Sequence, residues 1–192
     1  YGAFFCYVCK EMLEERELLN KQEIEITIER LCRQLIENHN GFENTVIIGV
    51  QPRGTFLSKR ILSKLQTLVS KTKIKSGNVD ISFYRDDLLR RDEPIVPQEM
   101  DMNLTIEGKN VILIDDVLFT GRSIRSAIDA LMTFGRPNSV ELLTLIDRRY
   151  SRHLPIQPNY VGRTIDALES EKVIVEWDEV NGIDRILMRK SE

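Results

Sequence analysis

Two adjacent carboxylates, Asp115 and Asp116, stand at the end of the apolar run Val111–Ile114, and Thr120-Gly121-Arg122-Ser123 follows shortly after. A run of this kind reads as a strand buried on both faces. The acids would then leave it at its carboxyl end, where open α/β sheets bind their ligands. The Thr-Gly-Arg-Ser turn opens a helix whose first N–H groups lack intrahelical partners. Those amides, with the Thr120 and Ser123 hydroxyls, suit a phosphate monoester, and Gly121 lets the backbone come close to it. Acids beside an anion site are intelligible when the ligand also carries vicinal hydroxyls, because carboxylates accept hydrogen bonds from them. A ribose phosphate offers both groups. The plainer alternative is that Asp115 and Asp116 only cap or solvate a strand end.

The elements needed to position this segment can be read on either side of it. Asn20 followed by Glu23 is a helix N-cap with a reciprocal partner, and Ile24, Ile28, Leu31 and Leu35 make one apolar stripe on a helix ending near Gly41. Val46–Val50 reads as a second buried strand, interrupted by Gln51-Pro52-Arg53-Gly54. Phe56, Leu57, Ile61, Leu62 and Leu65 restart a helical period, and Val79–Tyr84 reads as a strand after a Ser76-Gly77-Asn78 turn. Arg85 to Asn110 is polar, carries Pro94 and Pro97, and is too long for an ordinary loop, which suggests a functional flap or a disordered excursion. Ile124, Ala127, Ile128 and Leu131 carry a helix to Gly135 and Pro137. Val140–Ile146 is the next buried strand, 147–170 reads as irregular, and Val173–Trp177 and Arg185–Met188 read as two late strands flanking Asn181-Gly182. Helices alternating with apolar strands argue for an α/β core, a doubly wound and mostly parallel sheet.

Composition narrows the function classes. The 192 residues carry 27 Lys plus Arg against 30 Asp plus Glu, a formal charge of -3, which argues against a globally basic nucleic-acid binder while leaving room for a local basic patch. Hydrophobic residues at 42% and charged residues at 30% describe an ordinary globular chain with no apolar run long enough to span a bilayer. Cys6, Cys9 and Cys32 cannot all pair with one another, and a cytoplasmic location is the expectation. Cys6-x-x-Cys9 lacks the second pair or histidines of a zinc site and the preceding strand of a redox motif. Residues 1–19 read as a weakly ordered extension, with Met12 as an alternative start, and 20–192 as a single domain.

The segment from Val111 to Ser123 resembles the phosphoribosyl-pyrophosphate (PRPP) signature of type I phosphoribosyltransferases. Other segments narrow the resemblance. Gly49-Val50-Gln51-Pro52-Arg53-Gly54 resembles the pyrophosphate loop, and Tyr84-Arg85-Asp86-Asp87-Leu88 the start of the catalytic flap. Leu154-Pro155-Ile156 and Tyr160-Val161-Gly162 resemble the base-binding hood. Together with Ser170-Glu171-Lys172-Val173 they resemble the PyrR family, bifunctional pyrimidine-operon regulators and uracil phosphoribosyltransferases, over about residues 20 to 188. One departure stands out. Arg149-Tyr150-Ser151-Arg152-His153 is longer by one residue than the family's usual link after Asp147-Arg148 and has no glycine.

The resemblance implies a type I phosphoribosyltransferase fold with a flap at about 85–109 and a small hood at about 147–170. It also implies transfer of a ribosyl group from PRPP to uracil with Mg²⁺, giving UMP and pyrophosphate through an oxocarbenium-like transition state. Asp115 and Asp116 would bind the ribose hydroxyls, hold Mg²⁺ through water and stabilise the cationic ring. The PRPP site would comprise Gln51, Pro52, Arg53, Gly54, Asp115, Asp116, Val117, Thr120, Gly121, Arg122 and Ser123. Arg53 would meet the pyrophosphate, a cis Gln51–Pro52 peptide is expected in its loop, and Arg85 would close over it unless it is only a solvated loop charge.

Arg148, Tyr160 and Val161 would contact uracil, with a buried core tyrosine as the competing reading of Tyr160. Arg149 and Arg152, in a basic cluster with Arg148 and His153, are candidates for leader-mRNA contact, for phosphate contact or for a solvated loop. UMP or UTP would be the effector, and a homodimer or homotetramer the assembly. Two alternatives stand beside this reading: a non-enzymatic nucleotide-sensing RNA attenuator, and a purine phosphoribosyltransferase.

Overall fold

The computed structural model describes residues 15–69, 72–82 and 105–190. Cys6, Cys9, Met12, Arg85 and most of the expected flap lie outside the described residues. Strand β1 (Arg16–Asn20) runs directly into helix α1 (Lys21–His39). Asn20 and Glu23 form the expected reciprocal cap: the Glu23 N–H donates to Asn20 Oδ1 at 3.0 Å and the Asn20 N–H to Glu23 Oε2 at 2.9 Å. Then come β2 (Thr45–Val50), α2 (Gly54–Leu68), β3 (Lys75–Val79), β4 (Asn110–Leu118) and α3 (Arg122–Leu131), the last prolonged by a 3₁₀ turn to Phe134. The chain ends with β5 (Ser139–Arg149), β6 (Tyr160–Asp166), β7 (Glu171–Glu176), the one-turn α4 (Asp178–Asn181) and β8 (Arg185–Lys190).

Five parallel strands make the main sheet in the order β3-β2-β4-β5-β6, and β1-β8-β7 make a three-stranded antiparallel sheet. The apolar stripes of α1 and α2 cover one face of the main sheet and α3 covers the other, which is the doubly wound arrangement. Every residue of β2 is buried, as its continuous apolar run requires.

Four sequence expectations change. Residues 16–19 are not a loose extension, since β1 pairs antiparallel with β8 and buries Leu18 and Leu19. Strand β3 is Lys75–Val79 and not Val79–Tyr84: the supposed Ser76-Gly77-Asn78 turn is extended backbone paired in parallel with Ile47, Ile48 and Gly49. The stretch 147–170 is not irregular throughout, because β5 continues to Arg149 and β6 adds an edge strand to it. The small accessory sheet is built from the two ends of the described chain, β1, β7 and β8, whereas the expected hood at 147–170 carries the end of β5, a loop and β6.

Candidate active site

Strand β4 delivers the acids. Val111 and Leu113 pack with the α3 cluster and Ile112 and Ile114 with the α1–α2 cluster. Beyond the acids Val117 joins the α1–α2 side and Leu118 the α3 side, so the alternation slips by one residue across Asp115–Asp116. Each carboxylate turns back on the chain. Asp115 Oδ1 accepts the Asp116 N–H at 3.0 Å and Asp116 Oδ1 accepts the Val117 N–H at 2.8 Å. Asp116 Oδ2 is buried with no hydrogen-bond partner among the described residues.

Burial, with the Asp116 charge beside it, holds the Asp115 carboxyl well above the usual carboxylate range. Asp116 is also raised by burial, against the pull of the Arg53 guanidinium. Two buried acids side by side cannot both ionise cheaply without a cation or a set of hydroxyl donors.

Asp115 shares a cavity of about 290 Å³ with Val117–Ile124 and Ser126. Gly121, at φ 89°, ends the turn and starts α3, and no side chain caps that helix, in contrast to the fully capped α1. The Arg122 N–H donates to Thr120 Oγ1 only at 3.4 Å, and the amides that open an α-helix, lacking intrahelical partners, are the groups that bind anions. The turn is held from behind: the N–H groups of His153 and Leu154 donate to Thr120 O at 3.0 and 3.2 Å, and Arg152 donates to Phe119 O and pairs with Asp147. A Cβ on Gly121 would lie 3.2 Å from Ile156 Cδ1. Leu154-Pro155-Ile156, expected at the base, therefore packs against the Thr120–Ser123 turn.

The loop after β2 approaches from the neighbouring strand end. Gln51–Pro52 is cis, and the Gln51 N–H donates to Val79 O at 2.9 Å. Gly54 starts α2, where a Cβ would sit 2.4 Å from Ile114 O and 3.1 Å from Asp115 Cα. Only glycine lets this helix start pass so near the acidic pair. Arg53, one residue earlier, is exposed and electrostatically coupled to Asp116.

The residues expected at the nucleobase divide. Tyr160 does not reach the site. It is 4% exposed, and its hydroxyl donates to Glu141 at 2.7 Å and lies within 3.2 Å of His39 Nε2 and Asn38 Nδ2. Glu141 lies opposite Ile112, and His39 also reaches Thr45 at the first residue of β2, so this hydroxyl faces the amino-terminal end of the sheet. The competing reading, a buried core tyrosine, is the one the structure supports. The Val161 carbonyl accepts from Arg30 on α1 at 3.0 Å, on the outer edge of the sheet.

Arg148 is buried, donates to Leu168 O at 3.1 Å, and lays its guanidinium 4.0 Å from the centroid of Phe119. Burial lowers its pKa from the ordinary arginine value. A desolvated stack of this type contributes about 1–2 kcal/mol. Arg149 and Arg152, the candidates for RNA contact, are both in ion pairs, with Asp166 at 2.7 Å and with Asp147. Sequence reasoning missed Phe119, which lines the cavity between the acids and Thr120; its signal was an aromatic inside the motif itself.

Comparison with known proteins decides the family. A model described as a phosphoribosyl transferase domain matches residues 15–179. The Bifunctional protein PyrR of Halalkalibacterium halodurans is 39% identical over 178 residues, 91% of this chain and 97% of that protein. The chain belongs to the PyrR family of phosphoribosyltransferases. A second PyrR relative, from Bacillus subtilis, is 37% identical over 184 residues, 94% of this chain and 100% of its own length.

Solved structures of hypoxanthine phosphoribosyltransferases share the fold. The enzyme from Trypanosoma cruzi superposes with a TM-score of 0.70 at 19% identity, covering 92% of this chain and 97% of that one. The enzyme from Staphylococcus aureus gives 0.68 at 22%, covering 92% of each. The PyrR chain thus has the type I phosphoribosyltransferase fold. No helix among its described residues is long and apolar enough to cross a membrane.

Proposed function

We propose that this PyrR-family chain is a uracil phosphoribosyltransferase, converting uracil and PRPP to UMP and pyrophosphate. The observation that carries the reading is one cavity lined by Asp115, one half of a buried carboxylate pair, and by the turn that opens α3, at the carboxyl ends of parallel strands. In the reaction N1 of uracil bonds to C1′ of the ribose as the C1′–O bond to pyrophosphate breaks, the N1 proton passes to the departing pyrophosphate or to water, and positive charge develops transiently on the ring. The Thr120–Ser123 amides and hydroxyls take the 5′-phosphate. Asp115 and Asp116 accept the ribose hydroxyls and, once ionised, oppose the ring's charge. Arg53, beside Asp116, takes the leaving pyrophosphate, and Arg85 is its proposed partner on the flap.

Among the described residues no three acidic, histidine or cysteine side chains cluster into a metal cage. Mg²⁺ does not require one, since it binds through one or two carboxylates, substrate phosphates and water. Asp116 Oδ2, partnerless among the described residues, and the neighbouring Asp115 fit that donor set. Bound Mg²⁺ supplies charge neutralisation of the leaving pyrophosphate. Cys32, buried and not in a disulfide, suits a reducing, cytoplasmic setting.

Uracil, hypoxanthine, guanine and orotate offered with PRPP and Mg²⁺, with pyrophosphate release followed, test the reading. Uracil alone should support turnover, and release with a purine but not with uracil rejects it.

The relatives are called bifunctional, and uridylate-dependent binding of leader mRNA is the second activity we assign to the fold. Arg152 is held by Asp147 in a largely buried pair, whereas Arg149 pairs with Asp166 at the surface, where so weak a bond leaves its guanidinium open to a phosphate. A leader hairpin that fails to shift with UMP at low salt rejects this second part.

A further inference from the structure

With Tyr160 committed to His39, Asn38 and Glu141, Phe119 is the aromatic side chain that the described cavity presents. It sits between the acids that would hold the ribose and the turn that would hold the phosphate. The ring is 38% exposed even though it belongs to a buried strand–turn junction. Two contacts fix the residue, one of them anchored in turn. The Arg148 guanidinium lies over it at 4.0 Å, Arg148 is itself tied to Leu168 O at 3.1 Å, and Arg152 donates to the Phe119 carbonyl. The stack stabilises the fold and also holds the exposed ring in one place, where a ligand can meet it. A ring held rigid loses little entropy when a planar ligand meets it.

We infer that Phe119 is the specificity-determining wall against which the nucleobase rests, with Arg148 as a positioning residue that acts through it. The inference rests on the phosphoribosyltransferase reading and names the residue that selects the base. An apolar ring at this position offers no hydrogen bond to an imidazole nitrogen. A purine would therefore bury its second ring's polar edge without a partner, whereas a pyrimidine has no such edge to satisfy.

The test compares calorimetric affinities for UMP and for ribose 5-phosphate, which share the sugar and the phosphate and differ in the base. The wild-type protein should bind UMP at least ten times more tightly. Phe119→Ala should cut that preference to about threefold or less while the ribose 5-phosphate Kd moves by less than twofold. Arg148→Lys should lower it in the same direction, and Phe119→Tyr, which keeps the ring, should hold it near the wild-type ratio.

The inference is overturned if Phe119→Ala leaves the ratio intact, or if it weakens both ligands equally, which would make Phe119 a prop for the phosphate turn only. A wild-type protein with no preference for UMP, or with no transfer to uracil, sinks the uracil reading instead. Circular dichroism of each variant identifies any that fails to fold, and Phe119→Leu then replaces Phe119→Ala with the same expected loss.

Discussion

The catalytic role proposed for Asp115 and the stability of the fold pull apart within one side chain. Burial and the adjacent Asp116 raise its pKa in the folded state, so the native protein holds a proton that the unfolded chain releases above about pH 4. Stability from this group is therefore complete below that pH and is lost as the pH rises through the folded-state value. Asp115→Asn removes the penalty. It should raise Tm at pH 7, by about 2–4 °C for each kcal/mol recovered, and leave Tm nearly unchanged below pH 4. The same substitution should lower kcat by roughly 100-fold or more, since an oppositely placed charge is lost from the transition state. Differential scanning calorimetry at the two pH values, with initial rates beside it, checks both halves. A variant that is neither more stable at pH 7 nor slower contradicts the account. The acidic pair and the Thr-Gly turn were legible in the sequence because residue types at fixed spacing state their own chemistry. Tyr160 was not, because whether an aromatic at a strand start faces the ligand or the opposite end of the sheet depends on partners such as His39 and Glu141, far away in the chain.

Among the elements, α2 links the Gln51–Gly54 loop at its start to the accessory sheet along its length. Arg60 makes a bidentate pair with Glu179 at 2.7 and 3.0 Å, reaches Asp184 at 2.6 Å, and lies 4.6 Å from the Trp177 ring centroid. Burial alone would raise the Asp184 pKa, but the Arg60 and Asp178 hydrogen bonds outweigh it and hold the carboxyl below its ordinary value. Its stabilisation is present above about pH 4 and is lost as pH falls through the lower folded-state value. Arg60→Gln should cost roughly 2–3 kcal/mol at pH 7, toward the low end for a broken buried pair because Glu179 is half exposed. Urea unfolding should show the gap to wild type narrowing as the pH drops toward 3, and a pH-independent gap would assign the loss to packing over Trp177. These contacts also explain which elements the sequence hid. β2 and β4 show themselves as unbroken apolar runs because helices cover both faces. β3 begins Lys-Ser-Gly-Asn and β6 holds Gly-Arg-Thr, compositions of turns and edges; each strand exists because a neighbour, β2 or β5, supplies its hydrogen-bond ladder.

At the scale of the molecule, the question is whether the accessory sheet is a separate unit or part of the main core. Val175, Trp177 and Ile186 of its strands and their border belong to the same buried cluster as Ile24, Leu31, Leu57 and Ile61 of α1 and α2. Strand β1 enters α1 without a break, and the Asn20–Glu23 hydrogen bonds fix the junction between this accessory strand and a helix packed on the main sheet. A shared core of this kind predicts one cooperative transition. Trp177 is the chain's single tryptophan and is 2% exposed at the seam between the sheets, so its fluorescence reports the accessory side, while far-UV circular dichroism is dominated by the helices of the main layer. The two signals should melt together, with calorimetric and van't Hoff enthalpies equal. A tryptophan transition preceding the loss of helix would instead mark the accessory sheet as an independently opening cover.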